Sequence, residues 1–251
     1  MRGKFSVFVV VLLLAICTAI SQVHAGWVMK EANGDETFVS DGKMKSGWQA
    51  GGMILNGNTG TLIMYDDQKK MYTEGPVDEF CQFATSMFEQ MMENIPPEQR
   101  EMMKQMMGGS GDSSPPEVVV TKKGEGGKIA GFSTDKYEVV VNGDLYEEVW
   151  IATDKGLSDD FRPLIGFIAD VTACIGSIGM IGNITPEATD EYAELFKAGV
   201  MLKIVNHEDG SEDKGMDVTS LEKKDVPKSV FEAPDGYRKV EYSELMNVEM
   251  E

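Results

Sequence analysis

The period of the hydrophobic residues changes at residue 77, and this change constrains the fold more than any other feature. Between Gly26 and Gly75, short runs of apolar and aromatic residues alternate with turn-forming clusters roughly every ten residues, which predicts an antiparallel meander. From Val77 to Ile95 the apolar residues recur at helical spacing opposite a polar face. Pro96-Pro97 ends this predicted helix because proline lacks an amide hydrogen.

Strands and helices then follow once more in the same order. Apolar runs between 117 and 151 predict strands, and Asn142-Gly143 between the last two is a strong hairpin signal. Gly124–Gly127 is expected to be a hairpin loop between two strands. It is not expected to bind phosphate, since no helix follows whose N-terminus could hold one. Residues 160–182 form a second apolar helical zone, and a further helix is expected over about 185–197.

Two last strands are predicted near Met201–Asn206 and Met216–Leu221, with the acidic turn His207–Lys214 between them. Strands and helices are thus segregated along the chain, without the regular alternation of a parallel α/β protein. The predicted fold class is therefore α+β.

The chain begins with a pattern typical of secreted proteins. Arg2 and Lys4 precede an apolar run from Phe5 to about Ile20, and small residues end at Ala25. Residues 1–25 are predicted to be a signal peptide that is cut after Ala25, so the mature protein is expected in the periplasm or outside the cell. The apolar run is too short for a comfortable membrane span. A retained signal anchor is therefore the less favoured alternative.

The charge of the chain limits its partners. Its formal net charge is −19, and cleavage would also remove Arg2 and Lys4. So negative a surface repels nucleic acid and anionic membranes. Residues 26–251 are predicted to form one domain with no stable membrane span.

Two cysteines, Cys81 and Cys174, remain after the predicted cleavage, and both lie on apolar faces of predicted helices. In an oxidising compartment such a pair can form a disulfide. Two buried free thiols fit the pattern equally, since cysteine packs as a small hydrophobe. The sequence leaves both possibilities open.

A methionine cluster is the most informative functional feature. Seven of the residues from 87 to 107 are methionine. Flexible thioethers adapt to irregular apolar shapes, so helices that carry them predict a deformable binding cavity. An ordinary core helix is equally consistent with the spacing. A third possibility is copper(I), which soft thioethers ligate, with Met103 and Met107 or Met87 and Met91 as ligand pairs.

The usual signatures of enzymes do not appear in the sequence. His207 is the one histidine left after cleavage, and this excludes a zinc site built from several histidines. It is expected to lie in a solvated turn. Glu147 and Glu148 are neighbours in a predicted strand and point to opposite faces, so they cannot act as an acid–base pair. Asp159-Asp160 suits a helix N-terminus. No catalytic activity and no cofactor are expected.

Three motifs resemble known envelope proteins. The closing stretch Val226–Tyr237, with its apolar residues and prolines, is similar to the ending of the LolA/LolB lipoprotein-carrier superfamily. The segment Met87–Met107 with its Pro-Pro-Glu break, together with Lys69-Lys70-Met71-Tyr72, resembles a methionine-rich bacterial envelope family with a domain of unknown function. The resemblance implies a strongly curved antiparallel sheet, a half-open barrel, whose concave face is covered by helices inserted at about 77–108 and 160–197.

These observations together predict an extracytoplasmic carrier or binding protein for an apolar ligand, such as lipid or acyl chains. The alternatives are a structural or assembly protein of the cell envelope, whose helices contact a partner protein, and a methionine-based copper(I) binder. The residues expected to line the apolar cavity are Met87, Phe88, Met91, Met92, Met102, Met106, Ile168, Val171 and Ile175.

Overall fold

Twelve strands within the described part of the chain form one sheet. This computed structural model describes residues 23–96, 99, 116–177, 186–208 and 211–246, so most of the predicted signal peptide lies outside the described residues. The strands are β1 (Val23–Glu31), β2 (Glu36–Ser40), β3 (Lys43–Trp48), β4 (Gly51–Asn56), β5 (Thr61–Asp66), β6 (Met71–Pro76), β7 (Val118–Ile129), β8 (Phe132–Val141), β9 (Asp144–Ala152), β10 (Val200–Glu208), β11 (Ser211–Pro227) and β12 (Arg238–Lys239).

The sheet is curved and unclosed, and its two halves come from different parts of the chain. Its strand order is β12-β6-β5-β4-β3-β2-β1-β11-β10-β9-β8-β7. The predicted meander forms one half, and the antiparallel pairing of β1 with β11 joins it to the other. This confirms the α+β class. The expectation of a purely antiparallel sheet is wrong at one edge, where β12 runs parallel to β6 because the chain returns to that edge across the sheet.

Turn chemistry explains the hairpins of the second half. Asn142-Gly143, with φ of 53° and 95°, forms the tight turn between β8 and β9. The hairpin loop expected at Gly124–Gly127 is wrong: this segment belongs to β7, where two register shifts mark bulges. Packing decides the outcome, because a Cβ on Gly126 would lie 2.5 Å from Cδ1 of Trp150. The turn lies instead at Ala130-Gly131.

The acidic turn expected at His207–Lys214 is also wrong. Strand β10 continues to Glu208 and β11 begins at Ser211, with ladder partners such as His207 and Glu212. His207 therefore lies in a strand, where its side chain is 17% exposed and its Nε2 is 3.4 Å from Oε2 of Glu148. Backbone pairing with the rest of the sheet outweighs the low strand propensity of the acidic residues.

Three longer helices accompany the sheet: α1 (Val77–Asn94), α2 (Lys155–Ser177) and α3 (Asp190–Ala198). A short helix α4 (Tyr242–Leu245) and the 3-10 turns Pro186–Ala188 and Lys228–Phe231 complete the described elements. Helix α2 begins before the expected residue 160, because the Asp154 carboxylate accepts the Leu157 amide hydrogen and caps the first turn. Asp159-Asp160 is therefore inside the helix and not at its start.

No helix in the described ranges is both long enough and apolar enough to cross a membrane.

Alternating strand residues separate into two packed layers. One layer, the helix face, contains strand residues that pack with α2: Trp27, Val39, Leu55 and Leu62. The other layer, the tail face, contains Val28, Ile54, Ile63 and Tyr65, and the segment 226–237 covers it. Because neighbours such as Leu62 and Ile63 belong to different layers, the sheet has a core on each side.

Candidate functional site

A cavity of about 340 Å³ lies on the helix face, between α2, α3 and strands β1, β2, β3, β10 and β11. Its apolar lining comes from thioether, aliphatic and aromatic side chains: Met29, Met44, Phe161, Ile165, Ile168, Phe196, Val200, Met201, Ile204 and Met216. The other lining residues are Glu31, Thr37, Ser46, Glu187, Tyr192 and Gly199.

The cavity lies between α2 and α3, which pack in different parts of the core. Leu157 and Leu164 of α2 are fully buried against the meander and its neighbouring strands. Leu195 and Tyr192 of α3 pack against β7 to β10, around Val149. Phe161, Ile165 and Ile168 occupy the side of α2 that borders the space between the helices.

The structure places only some of the residues that were expected to line the site near the cavity. Ile168 lines the cavity, and Val171 is buried in the adjoining core. Met87 is half-buried on α1 and does not belong to the described lining. The side chains of four other expected residues are not among those that the structure describes: Phe88, Met91 and Met92 on α1, and Ile175 on α2. Met102 and Met106 lie outside the described residues altogether. The proposed copper ligands Met103 and Met107 also lie outside.

The thioethers of the cavity come from the sheet. Met29, Met44, Met201 and Met216 belong to β1, β3, β10 and β11. The sequence alone does not single them out, because they are single residues in separate strands and form no local cluster. Their alternation within each strand was the available signal.

The polar groups around the cavity are acids and hydroxyls. Thr37 Oγ1 donates a hydrogen bond to Ser46 Oγ over 3.2 Å. Partial burial raises the pKa of the Glu31 carboxyl, and the nearby Asp35 adds to that rise. Glu187 Oε1 accepts a hydrogen bond of 2.6 Å from the Tyr146 hydroxyl. The described lining contains no lysine or arginine.

Glu147 and Glu148 lie on opposite faces of β9, as strand geometry predicts. Glu147 is 6% exposed, and the Tyr192 hydroxyl donates a hydrogen bond of 2.7 Å to its Oε2. Burial raises the pKa of Glu147 to about 7, although the Tyr192 hydrogen bond acts against this. Glu148 pairs with Lys136 and His207. The Lys136 hydrogen bond is the main cause that lowers the pKa of Glu148.

A disulfide joins the two longest helices. Cys81 of α1 and Cys174 of α2 are bonded, with Cα atoms 5.8 Å apart. Of the two possibilities that the sequence left open, the structure contains the bridge. Helix α1 is also held by Phe83, whose ring stacks on Tyr242 of α4 at 5.6 Å between centroids. The disulfide therefore attaches α2 to a helix that has its own packing contact with α4.

No set of three or more histidine, cysteine, aspartate or glutamate side chains that could hold a metal ion occurs in the part of the chain that the structure describes.

Comparison with known proteins gives one family. The family model with the description "Domain of unknown function (DUF4412)" matches residues 98–237, which is more than half of the chain. The match includes β7 to β11, α2, α3 and the closing stretch that ends at Tyr237. No curated protein matches the chain.

Proposed function

Because the chain belongs to the Domain of unknown function (DUF4412) family, its activity must be inferred from its own site, and we propose a non-catalytic carrier of an apolar ligand. Lipid or acyl chains are the ligand class, and the periplasm or the extracellular space is the compartment. The observation that carries this proposal is the cavity between α2, α3 and the sheet.

The size and chemistry of the cavity support this function. Its volume of about 340 Å³ lies within the range of small-molecule sites, which are concave and mostly apolar. Burial of each methylene group of a guest contributes about 0.8 kcal/mol by removing it from water. Methionine side chains such as Met44 and Met216 adapt to guests of different shape because their unbranched chains change rotamer easily.

The arrangement of helices supports a likeness to the LolA/LolB lipoprotein carriers. We propose that the curved sheet is a half-open barrel and that α1, α2 and α3 cover its concave side. In support, residues of α2 and α3 border the same cavity, whereas the closing stretch after Pro227 packs on the tail face. In this arrangement small shifts of α2 and α3 would admit a guest, while the sheet stays unchanged.

The test is the binding of a neutral apolar probe. We expect the mature chain to bind N-phenyl-1-naphthylamine with a fluorescence increase, and 1-dodecanol to displace the probe. Ile168→Trp places a large ring in the cavity and should reduce probe affinity at least tenfold. The matched control is Val119→Trp, because Val119 is 46% exposed on the edge strand β7 and remote from the cavity lining.

The control variant should bind the probe like the parent chain. Absence of probe binding in the parent chain, or equal losses in both variants, would refute the carrier function.

A further inference from the structure

The charged side chains of the cavity all carry the same sign. Glu31 lies at one side of the cavity and Glu187 at the α3 side, and the described lining has no basic residue. We propose that the guest is an amphiphile with net positive charge, whose apolar body fills the cavity and whose polar end is an ammonium group. This inference rests on the proposed function and adds the class of ligand.

Glu31 is placed to contact the polar end of a guest. It follows Met29 by two positions in β1, and both residues line the cavity. Within the described ranges no cation pairs with its carboxylate, since the adjacent Lys30 pairs with Glu36. Apart from burial, the group that raises the pKa of Glu31 is Asp35, which is also acidic. A half-buried carboxylate among other acids is destabilising, and an ammonium group would remove that cost.

Glu187 is the second acid of the lining. Its Oε1 is held by the Tyr146 hydroxyl, which orients the carboxylate. No lysine, arginine or histidine of the described chain forms an ion pair with it. Glu187 also contributes to the raised pKa of Glu147, so its negative potential acts on its neighbours at this end of the cavity. A fatty acid would bring its carboxylate into that potential and lose affinity.

Aromatic rings add a second attraction for an ammonium group. Phe161, Tyr192 and Phe196 all line the cavity. The faces of such rings attract cations, and this attraction is strongest for sites shielded from water. A quaternary ammonium group therefore matches both the acids and the rings of this cavity.

The test compares ligands of equal chain length. Dodecyltrimethylammonium, 1-dodecanol and dodecanoate compete with N-phenyl-1-naphthylamine at pH 8, below their micelle concentrations. An ionic strength of 0.15 M limits the reach of distant charges to about 8 Å. We expect the ammonium compound to bind at least tenfold more tightly than dodecanoate, with the alcohol between them.

A double variant tests whether Glu31 and Glu187 cause the preference for the ammonium compound. Glu31→Gln combined with Glu187→Gln should reduce affinity for the ammonium compound at least tenfold and leave 1-dodecanol unchanged. The matched control, Glu125→Gln with Glu232→Gln, removes the same net charge at exposed positions outside the cavity lining. An equal loss in the control would assign the preference to overall charge and overturn the inference.

The remaining outcomes separate the inference from the proposed function. If 1-dodecanol binds and the ammonium compound is not preferred, the positive ligand is wrong while the apolar carrier remains. If none of the three compounds binds, the proposed function itself fails. Tighter binding of a twelve-carbon lysophosphatidylcholine than of dodecyltrimethylammonium would show that net positive charge is not selected, and would overturn the inference.

Discussion

The two faces of the sheet are closed in different ways. On the helix face, α2 and α3 leave a cavity of about 340 Å³ between them. On the tail face, Phe231 is 7% exposed within a cluster that includes Ile54 and Ile63, and the pocket beside it is only about 70 Å³. Tyr237 completes this layer with its ring edge-on to Tyr65, at 6.3 Å between centroids.

The difference follows from the shape of the covering elements. The stretch after Pro227 consists of a 3-10 turn, the two-residue strand β12 and the short helix α4, and Val230 and Phe231 of the turn pack directly on the tail face. The helix face is covered by two separate helices, α2 and α3, and the cavity lies in the space between them and the sheet. The tail face is therefore more completely filled, and the helix face combines a packed core with a larger cavity.

The disulfide is expected to have the largest effect on the helix face. Cys81→Ala with Cys174→Ala should lower the free energy of unfolding by about 4 kcal/mol, because the bond closes a long loop in the unfolded chain. The two cysteines are separated by 93 residues. Urea denaturation measures the loss, and dithiothreitol should produce a similar loss in the parent chain. A parent chain whose stability does not respond to the reductant would show that the cysteines are not bridged.

A pair of truncations should separate the two faces. Phe231→Ala should lower the free energy of unfolding by about 3–5 kcal/mol, because it leaves a void in a filled core. Ile165→Ala should lower it by only about 1–2 kcal/mol, since this half-buried side chain already borders empty space. Urea denaturation gives both values. Probe titration should show altered affinity for Ile165→Ala alone, and equal effects on both measurements would contradict the comparison.

The sequence predicted features that depend on neighbouring residues. The meander, the Asn142-Gly143 hairpin and the helices near 77 and 160 follow from turn chemistry and period, and the structure contains them. Features set by distant contacts were predicted wrongly. The glycine-rich residues 124–127 were expected to form a loop, but they belong to β7, where Trp150 packs against Gly126. His207 was expected in a solvated turn. It lies in a strand, because β10 and β11 pair with each other as far as this residue and beyond it.

The cavity shows this limit most clearly. The methionines from Met87 to Met107 form a local cluster in the sequence, and the prediction of a binding cavity rested on that cluster. The thioethers that line the cavity, such as Met29 and Met201, come close only because β1 pairs with β11 and β11 pairs with β10. No periodicity within one segment contains that pairing. Ile168 lies on the apolar stripe of α2 that the helical spacing predicts, and it lines this cavity.

A final comparison concerns two neighbouring residues on opposite faces of β9. Burial raises the pKa of Glu147 to about 7, against an ordinary value of 4.5. The folded chain therefore holds this proton more tightly than the unfolded chain does. The contribution of Glu147 to stability is full below pH 4.5 and is lost as the pH rises to about 7. Glu147→Gln mimics the protonated acid and should raise the free energy of unfolding at pH 8 by about 1–3 kcal/mol.

Glu148→Gln is the control with the opposite sign. The pKa of Glu148 is lowered chiefly by its hydrogen bond with Lys136, so its contribution is present above its ordinary pKa and is lost as the pH falls. Its replacement should therefore reduce stability at pH 8 and have less effect near pH 4. Urea denaturation at pH 4, 6 and 8 distinguishes the two variants. If both variants changed stability in the same direction at pH 8, the loss of one negative charge from an acidic chain would explain them, and the buried acid beside Tyr192 would have no special effect.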